Sequence, residues 1–233
     1  MPLHYRNDNP PGYEDGSIND VTPLIFLIDD DDSARQSLEP LLRTEGWRTE
    51  AYACAQEFLS RPLAPVASCV VTEVALPDID GLELQQRLAA GGPDLPIVFV
   101  THCDDVPTTV RAMKAGAVDF ITKPFERSEL VAAVAEAIGR SQALLQRRAQ
   151  MRDLRDRYES LTTRERDVMA GAVTGRLNKQ IAGDLAICEV TVKAHRGRLM
   201  RKMSAKSLAA LVDMAGRLSS SGVSCRRYAT VDA

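Results

Sequence analysis

No two of the five cysteines form a Cys-x-x-Cys pair: Cys54, Cys69, Cys103, Cys188 and Cys225 are scattered along 233 residues. That argues against metal ligation by cysteine and leaves free thiols, the state expected in a reducing compartment. No apolar run approaches the roughly 20 residues that a bilayer-spanning helix needs, so no membrane partner is expected. The stretch from Met1 to Asp8 lacks the apolar core of a secretion signal, which points to the cytoplasm. Net charge is nearly absent too, at −3, but the near-balance hides a division. Residues 1–139 carry 10 Lys and Arg against 23 Asp and Glu, whereas residues 140–217 carry 17 against 8. An acidic first half joined to a basic second half predicts two domains, the second facing a polyanion.

Residues 1–21, rich in Asn, Asp, Pro and Gly, are expected to be disordered. After them, strand-like and helix-like segments alternate. Leu24–Ile28 is a continuous apolar run, as for a strand buried on both faces. A helix follows over Ser33–Glu45, stopped by Gly46. Shorter strands are predicted at Arg48–Ala51, Cys69–Thr72, Ile97–Val100 and Asp119–Ile121. Helices are predicted at Ala55–Ser60, Leu82–Ala89, Pro107–Ala115 and from Ser128 onward. Five βα units in series imply a parallel sheet covered by helices on both faces, a doubly wound α/β domain over residues 22–140.

Ligands of such sheets bind at the carboxyl ends of the strands. Asp29 and Asp30 follow the first strand, Glu73 ends the third, Thr101 ends the fourth and Lys123 follows the fifth. Topology alone would bring these five to one rim. Clustered carboxylates repel one another and are tolerated where they hold a divalent cation, usually Mg²⁺. A lysine can neutralise a transferred phosphoryl group and a hydroxyl can bind its oxygens. The set therefore suits phosphoryl transfer onto a carboxylate. Asp31 and Asp32 need no such role, because they suit the N-terminus of the following helix.

At these residues the chain resembles a two-component response-regulator receiver domain. The matching stretches are Leu27-Ile28-Asp29-Asp30-Asp31, Leu76-Pro77-Asp78-Ile79-Asp80-Gly81, Val100-Thr101 and the run from Met113 to Phe125, and the last is similar to the FixJ-like branch. The resemblance implies strand order 2-1-3-4-5, Asp29 and Asp30 as metal-side acids holding Mg²⁺, Thr101 as the switch hydroxyl, Phe120 as the switch aromatic and Lys123 as the phosphate-sensing lysine. It also implies a sensor histidine kinase, or another regulatory protein, as partner. The departure is Glu73, since the family's phosphorylated residue there is an aspartate. One extra methylene carries the carboxylate about 1.5 Å deeper, a misplacement that in-line phosphoryl transfer does not tolerate well. Glu73 is thus expected to imitate the phosphorylated state in part, with ordinary phosphorylation lost. Two alternatives stand beside this: a degenerate receiver controlled by a protein partner, and phosphorylation of another acid such as Asp30.

Residues 141–158 read as a helical linker. Leu144, Met151 and Tyr158 recur every seven residues, with Leu154 and Leu161 offset by three, the pattern of a coiled coil; Gly139 is a point of interruption. Over 159–218 four helices are expected: Arg164–Val173, capped by Thr162 or Thr163, then Lys179–Leu185, Val190–Met203 and Lys206–Leu218. Residues 219–233, rich in serine, are expected to be disordered. The third of these helices turns Val192, Leu199 and Met203 inward, with His195 alongside. Lys193, Ala194, Gly197 and Arg201 lie on the other face, and Arg196, Arg198 and Lys202 flank it. Small residues with basic edges suit entry into a major groove.

The run from Leu161 to Arg166, then Gly175 to Ala182, then Thr191 to Arg196 and Lys202-Met203 resembles the NarL/LuxR helix-turn-helix. By that resemblance Lys193, Ala194 and Gly197 face the bases, while Asn178, Lys179, Thr191, His195 and Lys202 are phosphate-contacting or framework positions. Cys188 stands where that family usually has a serine cap. The whole chain is expected to be a transcriptional regulator and not an enzyme. It should bind double-stranded DNA as a homodimer, through the linker, the face around Pro107–Lys123, or both.

Overall fold

The computed structural model describes residues 22–62, 64–91 and 95–223. The tail expected over 1–21 lies outside these residues, as does most of that expected over 219–233. The chain divides into two compact units, residues 1–146 and 147–233.

Unit 1 is a five-stranded parallel sheet of order β2-β1-β3-β4-β5. Its strands are β1 (Leu24–Ile28), β2 (Arg48–Tyr52), β3 (Ser68–Thr72), β4 (Ile97–Thr101) and β5 (Asp119–Thr122). The three central strands, β1, β3 and β4, are buried at every position, which is why they read as unbroken apolar runs. Side chains alternate between two cores. Phe26, Val70 and Phe99 face the layer formed with α2 (Ala55–Leu59), α3 (Gly81–Gly91) and α4 (Val106–Lys114). Ile25, Val71 and Val98 face Leu38 and Leu42 of α1 (Asp32–Thr44) and Leu130, Val134 and Ile138 of α5 (Arg127–Glu159). Asp31 caps α1, its carboxylate accepting the Ser33 N–H at 2.9 Å. The two acids read as helix-terminal residues do act as such: Asp32, beside that cap, pairs with Arg35 at 2.7 Å.

Helix α5 is 33 residues long and passes through Gly139 without a break. The division between the units falls within it. An exposed helical glycine costs about 1 kcal/mol relative to alanine, too little to interrupt a helix anchored on both sides by packing.

Unit 2 consists of the last turns of α5 with α6 (Thr163–Val173), α7 (Asn178–Asp184), α8 (Glu189–Lys202) and α9 (Leu208–Ser220). The heptad residues Met151, Leu154, Tyr158 and Leu161 pack into the core of this unit, against Val168, Ile181, Leu199, Leu211 and Leu218. These four residues of the apolar stripe are thus packed within one chain. Thr162 caps α6 reciprocally with Glu165: Thr162 Oγ1 accepts the Glu165 N–H at 3.3 Å and Glu165 Oε2 accepts the Thr162 N–H at 2.9 Å. Helix α9 starts two residues later than expected, at Leu208, directly after its cap Ser207. It also runs past the expected boundary at 219, and Val223 still packs against the core.

Candidate functional sites: an acidic pocket and a basic helix

The rim expected from topology exists, and its members differ in depth. Asp29 and Glu73 are buried at 4% and 7% exposure, and Thr101 is fully buried. Lys123 reaches between the two acids, its Nζ 2.7 Å from Asp29 Oδ2 and 3.2 Å from Glu73 Oε2. The other oxygens are also bound. Asp29 Oδ1 accepts the Asp31 N–H at 2.9 Å. Glu73 Oε1 accepts the Val74 N–H at 2.8 Å and the hydroxyl of Thr101. The Thr101 hydroxyl in turn accepts the Cys103 N–H at 3.0 Å, which ties it to the loop before α4. Burial works against the charge on Lys123, but Asp29 and Glu73 outweigh it and hold the ammonium above its ordinary pKa.

Asp30 lies exposed beside this group. The two buried acids are paired with protein donors and are not arranged around an open cation site. Each carboxylate oxygen of Asp29 and Glu73 already has a protein donor, and Lys123 occupies the position between the acids where a cation would bridge them. Among the described residues, no cluster of three or more His, Cys, Asp or Glu could hold a metal ion. Phe120 is half-buried and packs its ring on Phe99, centroids 5.8 Å apart.

Gly81, at the start of α3, is required by a close approach. A Cβ there would lie 2.6 Å from the Glu73 carbonyl oxygen and 3.0 Å from the Phe99 ring. Asp78, in the same connection, accepts the N–H groups of Ala55 and Gln56 at 3.2 and 2.7 Å and so caps α2 across the sheet edge. Slight burial raises the Asp78 pKa, but the backbone donors prevail and hold it below the usual carboxylate value.

In unit 2, Lys179, Lys193, Ala194 and Gly197 are exposed, and Asn178, Thr191, His195 and Arg196 are half-buried. Lys193 pairs with Glu189 one turn earlier, 3.2 Å away, on the surface. Arg196 Nη1 donates to Asn178 Oδ1 at 3.0 Å and links α8 to α7. Lys202 is spent internally. Its Nζ donates to Glu165 Oε2 at 2.8 Å and to the Ser160 carbonyl at 2.9 Å, so of its two expected roles the geometry favours the framework one. Desolvation raises the Glu165 pKa, yet Lys202 and the Thr162 N–H outweigh it and hold the carboxyl below its ordinary value. Cys188 offers α8 no side-chain cap; its Sγ lies 2.9 Å from Thr191 Oγ1.

Three features were not read from sequence. The backbone donors of Val74 and Cys103 carry no side-chain signature. The Asp78 cap spans 22 residues. The Glu165–Lys202 link was half visible, because Thr-x-x-Glu before an apolar run is a capping-box signature.

Comparison with known proteins agrees with this division. Residues 25–135 match the response regulator receiver domain, and residues 159–215 match the bacterial regulatory proteins of the luxR family. Nodulation protein W of Bradyrhizobium diazoefficiens is 42% identical over 195 residues, covering 84% of this chain and 86% of that protein. The transcriptional regulatory protein FixJ of the same organism is 40% identical over 193 residues, covering 83% and 94%. Among solved structures, the response regulator StyR superposes with a TM-score of 0.76 at 41% identity, covering 84% of this chain and all of that one. The chain therefore belongs to the response regulators that join a receiver domain to a luxR-family DNA-binding domain, proteins that regulate transcription and are not enzymes.

Proposed function

We propose that this regulator binds its operator without being phosphorylated, because Glu73 stands in for a phosphorylated aspartate. The observation that carries the reading is the set of donors converging on one carboxylate: Val74 N–H, the Thr101 hydroxyl and the Lys123 ammonium. A phosphoryl group on a shorter acid would present oxygens to the same kinds of donor. Glu73 carries a single charge where an acyl phosphate carries closer to two, so the imitation is partial. Asp30 is a poor substitute acceptor, since it is exposed and lies outside that donor set. The kinase or other regulatory protein that addresses the receiver would then act by binding and not by phosphoryl transfer.

The functional unit is a homodimer on a two-fold operator, with half-sites one helical turn or a multiple apart. Val106, Val110 and Met113 form an exposed apolar stripe on α4, at i, i+4 and i+7, within the face expected to pair.

Incubation with acetyl phosphate, followed by mass spectrometry of the intact chain, tests the reading. The wild-type chain is expected to gain no phosphate and to bind DNA equally before and after. Glu73→Asp is expected to gain one phosphate and to bind more tightly once modified. Stoichiometric phosphate on wild-type Glu73 or Asp30 overturns the proposal.

A further inference from the structure

The outward face of α8 holds Val190, Lys193, Ala194, Gly197 and Arg201, at i, i+3, i+4, i+7 and i+11, a single helical face. Val192, Leu199 and Met203, on the opposite side, are fully buried. Val190 is 74% exposed, the highest value among the large hydrophobic side chains of the described residues. Among the described residues, it belongs to none of the apolar clusters. One turn further on, Ala194 presents a bare methyl group. Beyond that, Gly197 presents backbone, and a Cβ added there would meet no atom within 4 Å. Lys193, Arg198 and Arg201, all exposed, border this apolar strip.

Basic borders select an anionic polymer, but the strip between them has no side-chain donor or acceptor to offer a phosphate or a base edge. It gains free energy only by removing an apolar group from water. In the major groove one base presents such a group, thymine with its 5-methyl. We propose that Val190, together with Ala194, reads thymine methyl groups in the operator half-site, and that Val190 is a specificity-determining residue of this regulator. This rests on the DNA-binding reading of unit 2 and adds to it the identity of a base. An acidic protein partner would meet the same border charges, but its carboxylates would gain nothing from the strip.

Deoxyuridine differs from thymidine by that methyl alone, which makes it the probe. Duplexes are selected from a randomised-core pool by binding to the full-length chain. The selected duplex is then resynthesised with deoxyuridine for thymidine, one position at a time and at all positions. Burial of one methyl corresponds to about a fourfold effect per half-site, and about 15-fold for two half-sites. The expected result is a loss of that size at one symmetry-related pair of positions. Val190→Ser is expected to bind the thymine and uracil duplexes equally; as a change of an exposed side chain it leaves the core intact, which circular dichroism checks. Equal affinity of the wild-type chain for the thymine and fully uracil-substituted duplexes overturns the proposal while leaving DNA binding in place. Failure to select any duplex overturns the DNA-binding reading and this inference with it. Persistence of the full methyl effect in Val190→Ser assigns the methyl to other residues and also overturns it.

Discussion

Lys123 is held by two buried carboxylates and by little else, its Nζ 2.7 Å from Asp29 and 3.2 Å from Glu73. Its removal leaves two like charges facing each other in a pocket of low exposure. Breaking a buried pair in this way costs about 3–5 kcal/mol. Lys123→Met is therefore expected to lower the stability of unit 1 by that order at pH 7, measured by urea denaturation with Trp47 fluorescence as reporter. The pH dependence of the wild-type chain reports the same lysine at the alkaline end of the scale. The Lys123 pKa is raised on folding, so its contribution is fully present below the unfolded lysine value of about 10.4 and is lost as pH rises beyond it. Because Lys123 already bridges the acids, addition of Mg²⁺ at millimolar concentration is expected to leave the wild-type melting temperature unchanged; a rise of several degrees would show that the ion displaces the lysine.

Among elements, the three central strands of unit 1, β1, β3 and β4, were legible because burial on both faces demands unbroken apolar runs, and these runs lead at the rim to Asp29, Glu73 and Thr101. Convergence of Asp29, Glu73, Thr101 and Lys123 followed from topology. Which oxygen meets which donor did not, since Val74 and Cys103 act through backbone groups that every residue possesses. What the linker's apolar stripe packs against was not legible, for a different physical reason. Spacings of three and four turn Met151, Leu154, Tyr158 and Leu161 to one helix face, and the spacing is the same whether that face meets a second chain or the core of unit 2. The two helices of the DNA-binding motif share a weakness at their starts. Neither Leu177 nor Cys188 caps its helix with a side-chain hydrogen bond, whereas Thr162 and Ser207 do so for α6 and α9. At α7 half of a reciprocal cap is in place, because Gln180 Oε1 accepts the Leu177 N–H at 2.8 Å, but leucine has no oxygen to return the bond. Leu177 is 70% exposed, so little packing is lost on replacing it. Leu177→Ser is expected to stabilise unit 2 by about 1 kcal/mol, a rise of about 4–8 °C in its calorimetric transition. No change would show that the Leu177 side chain contributes as much as the missing cap.

At the scale of the whole molecule, charge is segregated: the basic excess lies almost wholly in residues 140–217 and the acidic excess in residues 1–139. Such an excess makes DNA affinity fall steeply with salt, each phosphate contact contributing a slope of about −0.9 to log K against log salt. Total charge does not tell which cations meet phosphate, but two of the lysines differ in what holds them. Lys179 is exposed and makes no hydrogen bond or ion pair among the described residues. Lys202 is held by Glu165 and the Ser160 carbonyl. Both lose one positive charge on mutation to alanine, yet their effects should diverge. Lys179→Ala is expected to weaken all duplexes alike and to reduce the slope by about 0.9, with thermal stability unchanged. Lys202→Ala is expected to leave the slope nearly unchanged. Instead it strips a partner from Glu165, a carboxylate at 2% exposure, at a cost of about 1–3 kcal/mol. The pH profile should report the same loss. The Glu165 pKa is lowered on folding from its ordinary 4.5, so its contribution is present above that value and is lost as pH falls through the folded-state pKa. In Lys202→Ala this acid-side loss of stability should shrink. If the two variants change the salt slope equally, Lys202 meets phosphate and the internal bridge opens on binding.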